Sequence, residues 1–148
     1  MIGAIRRKAD RGRKGQAVVE FALVLPVFLL LVFGALEFGR AYFNMHLLTN
    51  AAREGARRAS LPNQTQSGVE DTVQNFLTNV GLSADDCSTA ITVEDQSGNE
   101  RTGGLSAAIE GDVVTVAVTY NFDVIVGSLL PGFSGTVPLE ASCAFRHE

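Results

Sequence analysis

The chain is short of the residues on which catalytic and metal sites depend. Of its 148 residues, two are histidine, two are cysteine and none is tryptophan. His46 and His147 have no cysteine or carboxylate at a spacing typical of a metal site, and we expect both at the surface. The sequence has no phosphate-loop pattern and no Gly-x-Ser-x-Gly motif. It therefore predicts no catalytic residue, no metal ligand and no cofactor, and indicates a protein that is not an enzyme.

Basic side chains are also scarce after the first 60 residues. Residues 61–148 have two basic and twelve acidic side chains, a net charge of −10, whereas residues 1–15 carry +5 and residues 16–60 carry +1. Nucleic-acid phosphates need a basic face, so this charge distribution argues against a nucleic-acid partner. A basic tail next to an apolar run is typical of a membrane topology determinant.

Polar side chains are absent from one long stretch near the N-terminus. Residues 21–36 have none, and with residues 17–19 the stretch nears the ~20 apolar residues that cross a bilayer as a helix. Glu20 is the one ionisable residue in this stretch, and ionisable residues in spanning segments usually have a function. Short basic flanks stay in the cytoplasm. We therefore predict a single-pass inner-membrane protein with a cytoplasmic N-terminus and an extracytoplasmic C-terminal part.

The pattern divides the chain into four parts and predicts an α+β fold. Residues 1–15 form a basic leader, residues 16–38 a transmembrane segment, residues 39–60 an amphipathic extension of the same helix, and residues 61–148 a small head. The extension ends in a stripe of small residues, which are Ala52, Gly55, Ala56 and Ala59. Packing of this stripe on the chain's own head is favoured over packing on another chain.

The head begins with a second short helix. Ser67 and Glu70 have the form of a capping box, and Gly81 reads as a C-terminal cap. The apolar face between them consists of Val69, Val73, Phe76, Leu77 and Val80.

About three antiparallel strands follow. The sequence predicts a short strand at Ile91–Val93. In Val114–Val126 apolar and polar residues alternate, which predicts a strand with Val114, Val116 and Val118 on one face. Residues 127–135, which contain Pro131, read as a loop. In the last strand, residues 137–145 alternate again, and Pro138 near its start indicates an edge strand.

The two cysteines lie in this predicted sheet region. An even pair in a small exported domain favours a disulfide, here between Cys87 and Cys143, provided that the two sites meet in space. Closing a loop of about 57 residues would stabilise the head by roughly 4 kcal/mol. The alternative is two separate buried thiols.

The N-terminal motifs together resemble a known family. Gly15 joins the basic leader to the apolar run, and Glu20 is the fifth residue after it, as at the processing site of type IV prepilins. Three further segments extend the match, namely Glu20-Phe21-Ala22-Leu23 with Pro26, Glu37-Phe38-Gly39-Arg40, and Asn50-Ala51-Ala52-Arg53-Glu54-Gly55-Ala56-Arg57. In this order they resemble the TadE-like minor pseudopilins of the tight-adherence (Flp-type) pilus, closely over residues 12 to 60.

The resemblance implies a pilin-like head and a structural role in pilus assembly. A prepilin peptidase would cut between Gly15 and Gln16, and Glu20, followed by Phe21, would act in assembly by offsetting the new amine of an adjacent subunit. The implied partners are the inner membrane, the prepilin peptidase, other pilins and pseudopilins, and the assembly platform. Gln16 departs from the usual first residue, and a glutamine at the N-terminus can cyclise and lose its amine charge.

Two other interpretations of the N-terminal segment remain open. The first is a membrane-anchored extracytoplasmic binding domain with an uncleaved signal anchor, for which the head shows no evident aromatic cluster or basic pocket. The second is an ordinary secretory signal, whose nearest cleavage site would be residues 39–41 and whose apolar core would be shorter than the one present.

Overall fold

The protein has two helices and one three-stranded antiparallel sheet, as a computed structural model shows for residues 11–125, 127 and 135–148. The main elements are α1 (Arg11–Ala59), α2 (Gln66–Asn79), β1 (Cys87–Glu94), β2 (Val113–Asp123) and β3 (Thr136–Arg146). Short 3-10 turns at Ala84–Asp86 and Gly104–Ala107 join them. The predicted α+β class is confirmed.

Helix α1 has 49 residues and is about 74 Å long at 1.5 Å per residue. Pro26 lies inside it. No residue from 15 to 47 is buried, and the first buried side chain is that of Leu48. The fully buried side chains that α1 contributes to the core therefore lie in its second half, between Leu48 and Ala59, and Met45 and Leu47 pack beside them.

The core lies between this second half of α1, α2 and the sheet. Strand β2 is central and pairs antiparallel with β1 on one side and β3 on the other. Val114, Val116 and Val118 are fully buried, as the alternation predicts. Ala51, Ala52, Ala56 and Ala59 are fully buried as well.

Gly55 is where α1 approaches the head most closely. A Cβ atom at this position would lie 2.6 Å from Val73 Cγ2 and 3.2 Å from Val116 Cγ1. The small residues let the helix backbone approach α2 and β2, so the interpretation that the stripe packs on the chain's own head is confirmed.

Helix α2 begins two residues earlier than the capping-box pattern predicts. The N-cap is Thr65, whose Oγ1 accepts a hydrogen bond from the Gly68 amide at 3.2 Å, so the assignment of Ser67 as the cap is wrong. Val69, Val73 and Leu77 form the buried face.

The C-terminal end of α2 confirms the cap predicted at Gly81. This residue has a φ of 86°, the left-handed conformation that glycine adopts without strain. The Leu82 amide donates to Leu77 O and the Gly81 amide donates to Thr78 O, which is the Schellman arrangement.

Thr65→Ala is expected to destabilise the head by about 1 kcal/mol, because the Gly68 amide loses its acceptor. The matched control is Ser67→Ala two residues later, which should change stability by less than about 0.5 kcal/mol. Urea unfolding of the full chain in detergent, followed by circular dichroism, measures both. A larger loss for Ser67→Ala than for Thr65→Ala would show that the cap is Ser67 after all.

The strands differ from the prediction mainly at their ends. Strand β1 has eight residues and starts at Cys87, four residues before the predicted Ile91. Strand β2 ends at Asp123 rather than continuing to residue 126. Strand β3 lies at an edge of the sheet, as Pro138 predicts. Of the loop predicted at residues 127–135, only Gly127 and Gly135 are among the described residues.

Candidate functional site

The first half of α1 is an apolar surface that the head leaves uncovered. Within the described residues this is the one helix long and apolar enough to cross a membrane, with a mean hydropathy of 2.6 over its best window. Phe21, Leu23 and Leu31 are 64%, 73% and 70% exposed. A surface of this size stays exposed in water only at a large free-energy cost, so it requires lipid or other apolar helices around it.

Glu20 lies on this apolar surface, and its near neighbour in the helix is Gln16. The Gln16 side-chain amide donates a hydrogen bond to Glu20 Oε1 at 3.2 Å, one helical turn away. A neutral amide satisfies part of the carboxylate's hydrogen-bonding capacity but leaves its charge uncompensated. The carboxylate therefore still lacks a cationic partner among the described side chains of its own chain.

Gly15, Gln16 and Phe21 also lie on α1, in its first turns. An added Cβ at Gly15 would meet nothing within 4 Å, and Gln16 and Phe21 are exposed. Glycine in a helix costs about 1 kcal/mol relative to alanine, so Gly15 lowers the free energy needed to open the helix backbone at this point. The predicted cleavage point is accessible and is not held by tertiary contacts.

A second cluster joins α1 to the far end of the sheet, and we call it the junction. Its members are Glu37, Arg40, Phe122 and Ile125. Glu37 Oε2 lies 2.9 Å from Arg40 Nη1, and Glu37 Oε1 accepts a hydrogen bond from the Ile125 amide at 3.0 Å. The Arg40 guanidinium lies 5.0 Å from the centre of the Phe122 ring, within the range of a cation–π contact. The Glu37 side chain is 12% exposed and that of Arg40 is 47% exposed, so the carboxylate is shielded from water while the guanidinium remains partly in solvent.

The opposite end of the head is fixed by a second set of polar contacts. Arg101 Nε lies 2.6 Å from Asp112 Oδ2, and the Ile109 amide donates to the same oxygen at 2.9 Å. The hydrogen bonds from Arg101 and Ile109 hold the pKa of Asp112 below its usual range. This contribution to stability is present above the carboxyl group's unfolded pKa and is lost as the pH falls through the lowered folded value.

His147 belongs to the same end of the head and is buried, contrary to the expected surface position. It is 9% exposed, and its Nδ1 lies 3.2 Å from Ala59 O at the end of α1. The amide of the next residue, Glu148, donates to Ser60 O at 2.9 Å. The end of β3 therefore closes over the end of α1. His46 is exposed, as expected.

The predicted disulfide between Cys87 and Cys143 is not present, and both cysteines are free thiols. Cys87 pairs with Tyr120 and Cys143 pairs with Val116, on opposite sides of β2. The two cysteines are two strand spacings apart across the sheet, about 10 Å, and four residues apart along the strands, about 13 Å. A disulfide needs Cα atoms within about 7 Å.

The alternative of two separate buried thiols is closer to the structure, although each thiol is only half-buried. Both side chains pack against the core. Burial raises the pKa of the Cys87 thiol, and the Asp86 carboxylate raises it further, so less of the reactive thiolate is present.

The described residues contain no group of three or more histidine, cysteine or acidic side chains arranged to hold a metal ion. The site is thus an exposed apolar helix with one carboxylate near its start, followed by a small α+β head packed on its second half. This arrangement defines a class of proteins with one bilayer-length helix and a single head.

Comparison with known families identifies a more specific likeness. Residues 15–57 match the family model of TadE-like proteins. The match confirms the TadE-like resemblance seen in the sequence. It covers α1 from Gly15 to Arg57 and none of α2 or the sheet. No curated protein and no solved structure matches this chain.

Sequence reasoning missed the junction and the ion pair between Arg101 and the buried Asp112. Glu37 and Ile125 are 88 positions apart, and Arg101 and Asp112 are 11 apart across a glycine-containing loop. The nearest signal for the junction was Glu37 itself, an acidic residue that directly follows the apolar run. That signal indicates an unusual carboxylate but not its partner.

Proposed function

We propose that this chain is a TadE-like minor pilin or pseudopilin, a structural component for assembly of a tight-adherence pilus. The observation that carries the proposal is the apolar first half of α1, which the head does not cover. Glu20 lies on this surface and has no cationic partner among the described side chains. A helix of this kind packs against like helices or lipid, and its carboxylate favours a neighbour that brings a positive charge. The TadE-like match over residues 15–57 supports the same role.

In this proposal residues 1–15 are a cytoplasmic leader, and residues 16–38 span the inner membrane. The extension at residues 39–60 presents an extracytoplasmic head, residues 61–148. Cleavage after Gly15 by a prepilin peptidase would make Gln16 the first residue and expose an α-amine at the end of the helix. Glu20 lies four residues further on, about 6 Å along the axis. Pairing of this carboxylate with the amine of an adjacent pilin would fix the axial offset between two subunits.

The fate of Gln16 decides whether that pairing is possible. In the uncut chain the Gln16 amide donates to Glu20. Cyclisation of an N-terminal glutamine joins its α-nitrogen to the side-chain carbonyl and releases the amide nitrogen as ammonia. It would therefore remove both the ammonium group and the amide donor, and leave Glu20 with neither partner.

Gly15→Leu is expected to abolish cleavage while membrane insertion stays normal. Space at this position is open, so the larger side chain disturbs no packing and acts only on recognition by the peptidase. Intact-mass measurement of membrane-extracted protein from cells with an active prepilin peptidase gives the result. Wild-type protein should lack residues 1–15, and the variant should retain them.

The matched control is Gly34→Leu, which lies in the same helix with nothing within 4 Å of its Cβ position. It should be cleaved like the wild type. A wild-type chain that keeps residues 1–15 beside an active peptidase would contradict processing and favour the membrane-anchored binding domain.

A further inference from the structure

Besides the packed core, hydrogen bonds join the head to α1 at two levels, and the lower level coincides with the end of the apolar run. The upper contacts are those of His147 and Glu148 with the end of α1 at Ala59 and Ser60. The lower contact is the hydrogen bond from the Ile125 amide to Glu37, the residue that directly follows the apolar stretch 21–36.

The dimensions of α1 and β2 agree with this arrangement. Helix α1 from Glu37 to Ser60 is about 35 Å long at 1.5 Å per residue. Strand β2, from Val113 to Asp123, has 11 residues and spans about 35 Å. The strand therefore runs alongside the helix back toward the apolar run, and Ile125 emerges at the level where that run ends.

The helix surface at this level has the composition of a membrane interface. Phe38, Tyr42 and Phe43 are 81%, 69% and 62% exposed, and aromatic side chains concentrate where a spanning helix leaves the hydrocarbon. Arg40 is 47% exposed at the same level, where a guanidinium group can reach lipid phosphates.

Ile125 itself is an apolar side chain that is 64% exposed beside this interface. The carboxylate closest to it in sequence, Asp123, accepts a hydrogen bond from Thr136 Oγ1 at 3.1 Å. That bond satisfies part of the hydrogen-bonding capacity of the Asp123 carboxylate within the head.

We propose that the head rests on the outer surface of the membrane through Ile125, whose side chain enters the boundary between lipid headgroups and acyl chains. The Glu37 hydrogen bond holds Ile125 at that depth, and Arg40 tightens the junction through Phe122. The head is then attached to the bilayer at two points, the helix and this tip, which fixes its orientation relative to the membrane. The occupant is lipid because the contact lies level with the end of the apolar run.

The proposal rests on insertion of α1 in a membrane, and it does not depend on the pilus. Because the chain has no tryptophan, single tryptophans serve as clean depth reporters in the full-length protein reconstituted in phosphatidylcholine vesicles. Ile125→Trp tests the tip. Phe28→Trp, in the middle of the apolar run, reports insertion of the helix. Ile109→Trp is the matched control, since Ile109 is 57% exposed at the upper end of the head.

Lipids brominated close to the headgroup or close to the chain terminus quench tryptophan at different depths. Ile125→Trp is expected to lose about half of its emission with the shallow quencher and less with the deep one, because an interfacial side chain lies roughly 5 to 10 Å below the surface. Phe28→Trp should show the reverse order, and Ile109→Trp should show neither effect.

Each other outcome overturns the proposal, and the pattern identifies what failed. Quenching of Phe28→Trp without quenching of Ile125→Trp would mean that the helix is inserted but the tip does not touch lipid. Absence of quenching at both positions would contradict insertion of α1 in the membrane, and the proposed function would fail with it. Addition of Glu37→Gln to Ile125→Trp should weaken the shallow quenching, since a neutral amide accepts the Ile125 hydrogen bond less strongly.

Discussion

Glu20→Gln is expected to be cleaved and inserted normally and yet to be lost from the pilus assembly complex. Glutamine keeps the length and nearly the shape of glutamate, so the helix and the processing site are unchanged. Removal of a charge from the membrane should make insertion easier, not harder. Under the proposed pairing, the variant lacks the negative charge that balances a neighbour's N-terminal amine in a medium of low dielectric constant.

The measurements are co-purification of the variant with its pilin partners and the number of pili per cell. A suitable control is Glu54→Gln, which neutralises a carboxylate outside the apolar stretch that is paired with Arg57 at 2.6 Å on the exposed surface. It should assemble normally, because such surface pairs contribute little. The mass of the mature N-terminus has to be determined on the same sample, since a cyclised Gln16 offers no ammonium group.

Normal piliation by Glu20→Gln would contradict the pairing role. Glu20 would then be a carboxylate near the membrane surface with no role in assembly, and its hydrogen-bond partner would be the Gln16 amide within its own helix.

Gly55→Leu is expected to have the largest effect on stability, a loss of about 3 kcal/mol or more from overpacking. A Cβ alone would already lie 2.6 Å from Val73 Cγ2, and the rest of the leucine side chain would drive α1 away from α2 and β2. The helix and the head would separate at the centre of the core. Thermal unfolding of the full chain in detergent, monitored by near-ultraviolet circular dichroism, measures the effect.

Gly39→Leu is the matched control in the same helix. Nothing lies within 4 Å of its Cβ position, so it should gain the roughly 0.8 kcal/mol of helix propensity that leucine has over glycine. The two variants share that propensity gain, and their difference therefore isolates the packing term. Equal stability of the two would show that the head does not pack on α1 at Gly55.

The sequence determined those features that depend on neighbouring residues alone. The bilayer length of the apolar run, the small stripe on α1, the alternation in β2 and the Gly81 cap all follow from local composition and periodicity. The TadE-like resemblance was recognisable for the same reason, since its motifs lie within one continuous helix.

Tertiary structure decided which distant residues meet. Strand order and register separate Cys87 from Cys143, although both lie on the core side, because they lie on opposite sides of β2 and pair with different positions of it. Closure of β3 over α1 buries His147, and the end of β2 brings Ile125 to Glu37. Periodicity assigns a side chain to a face of its own element, but the position of that face against another element depends on strand register and helix packing, which no local pattern encodes.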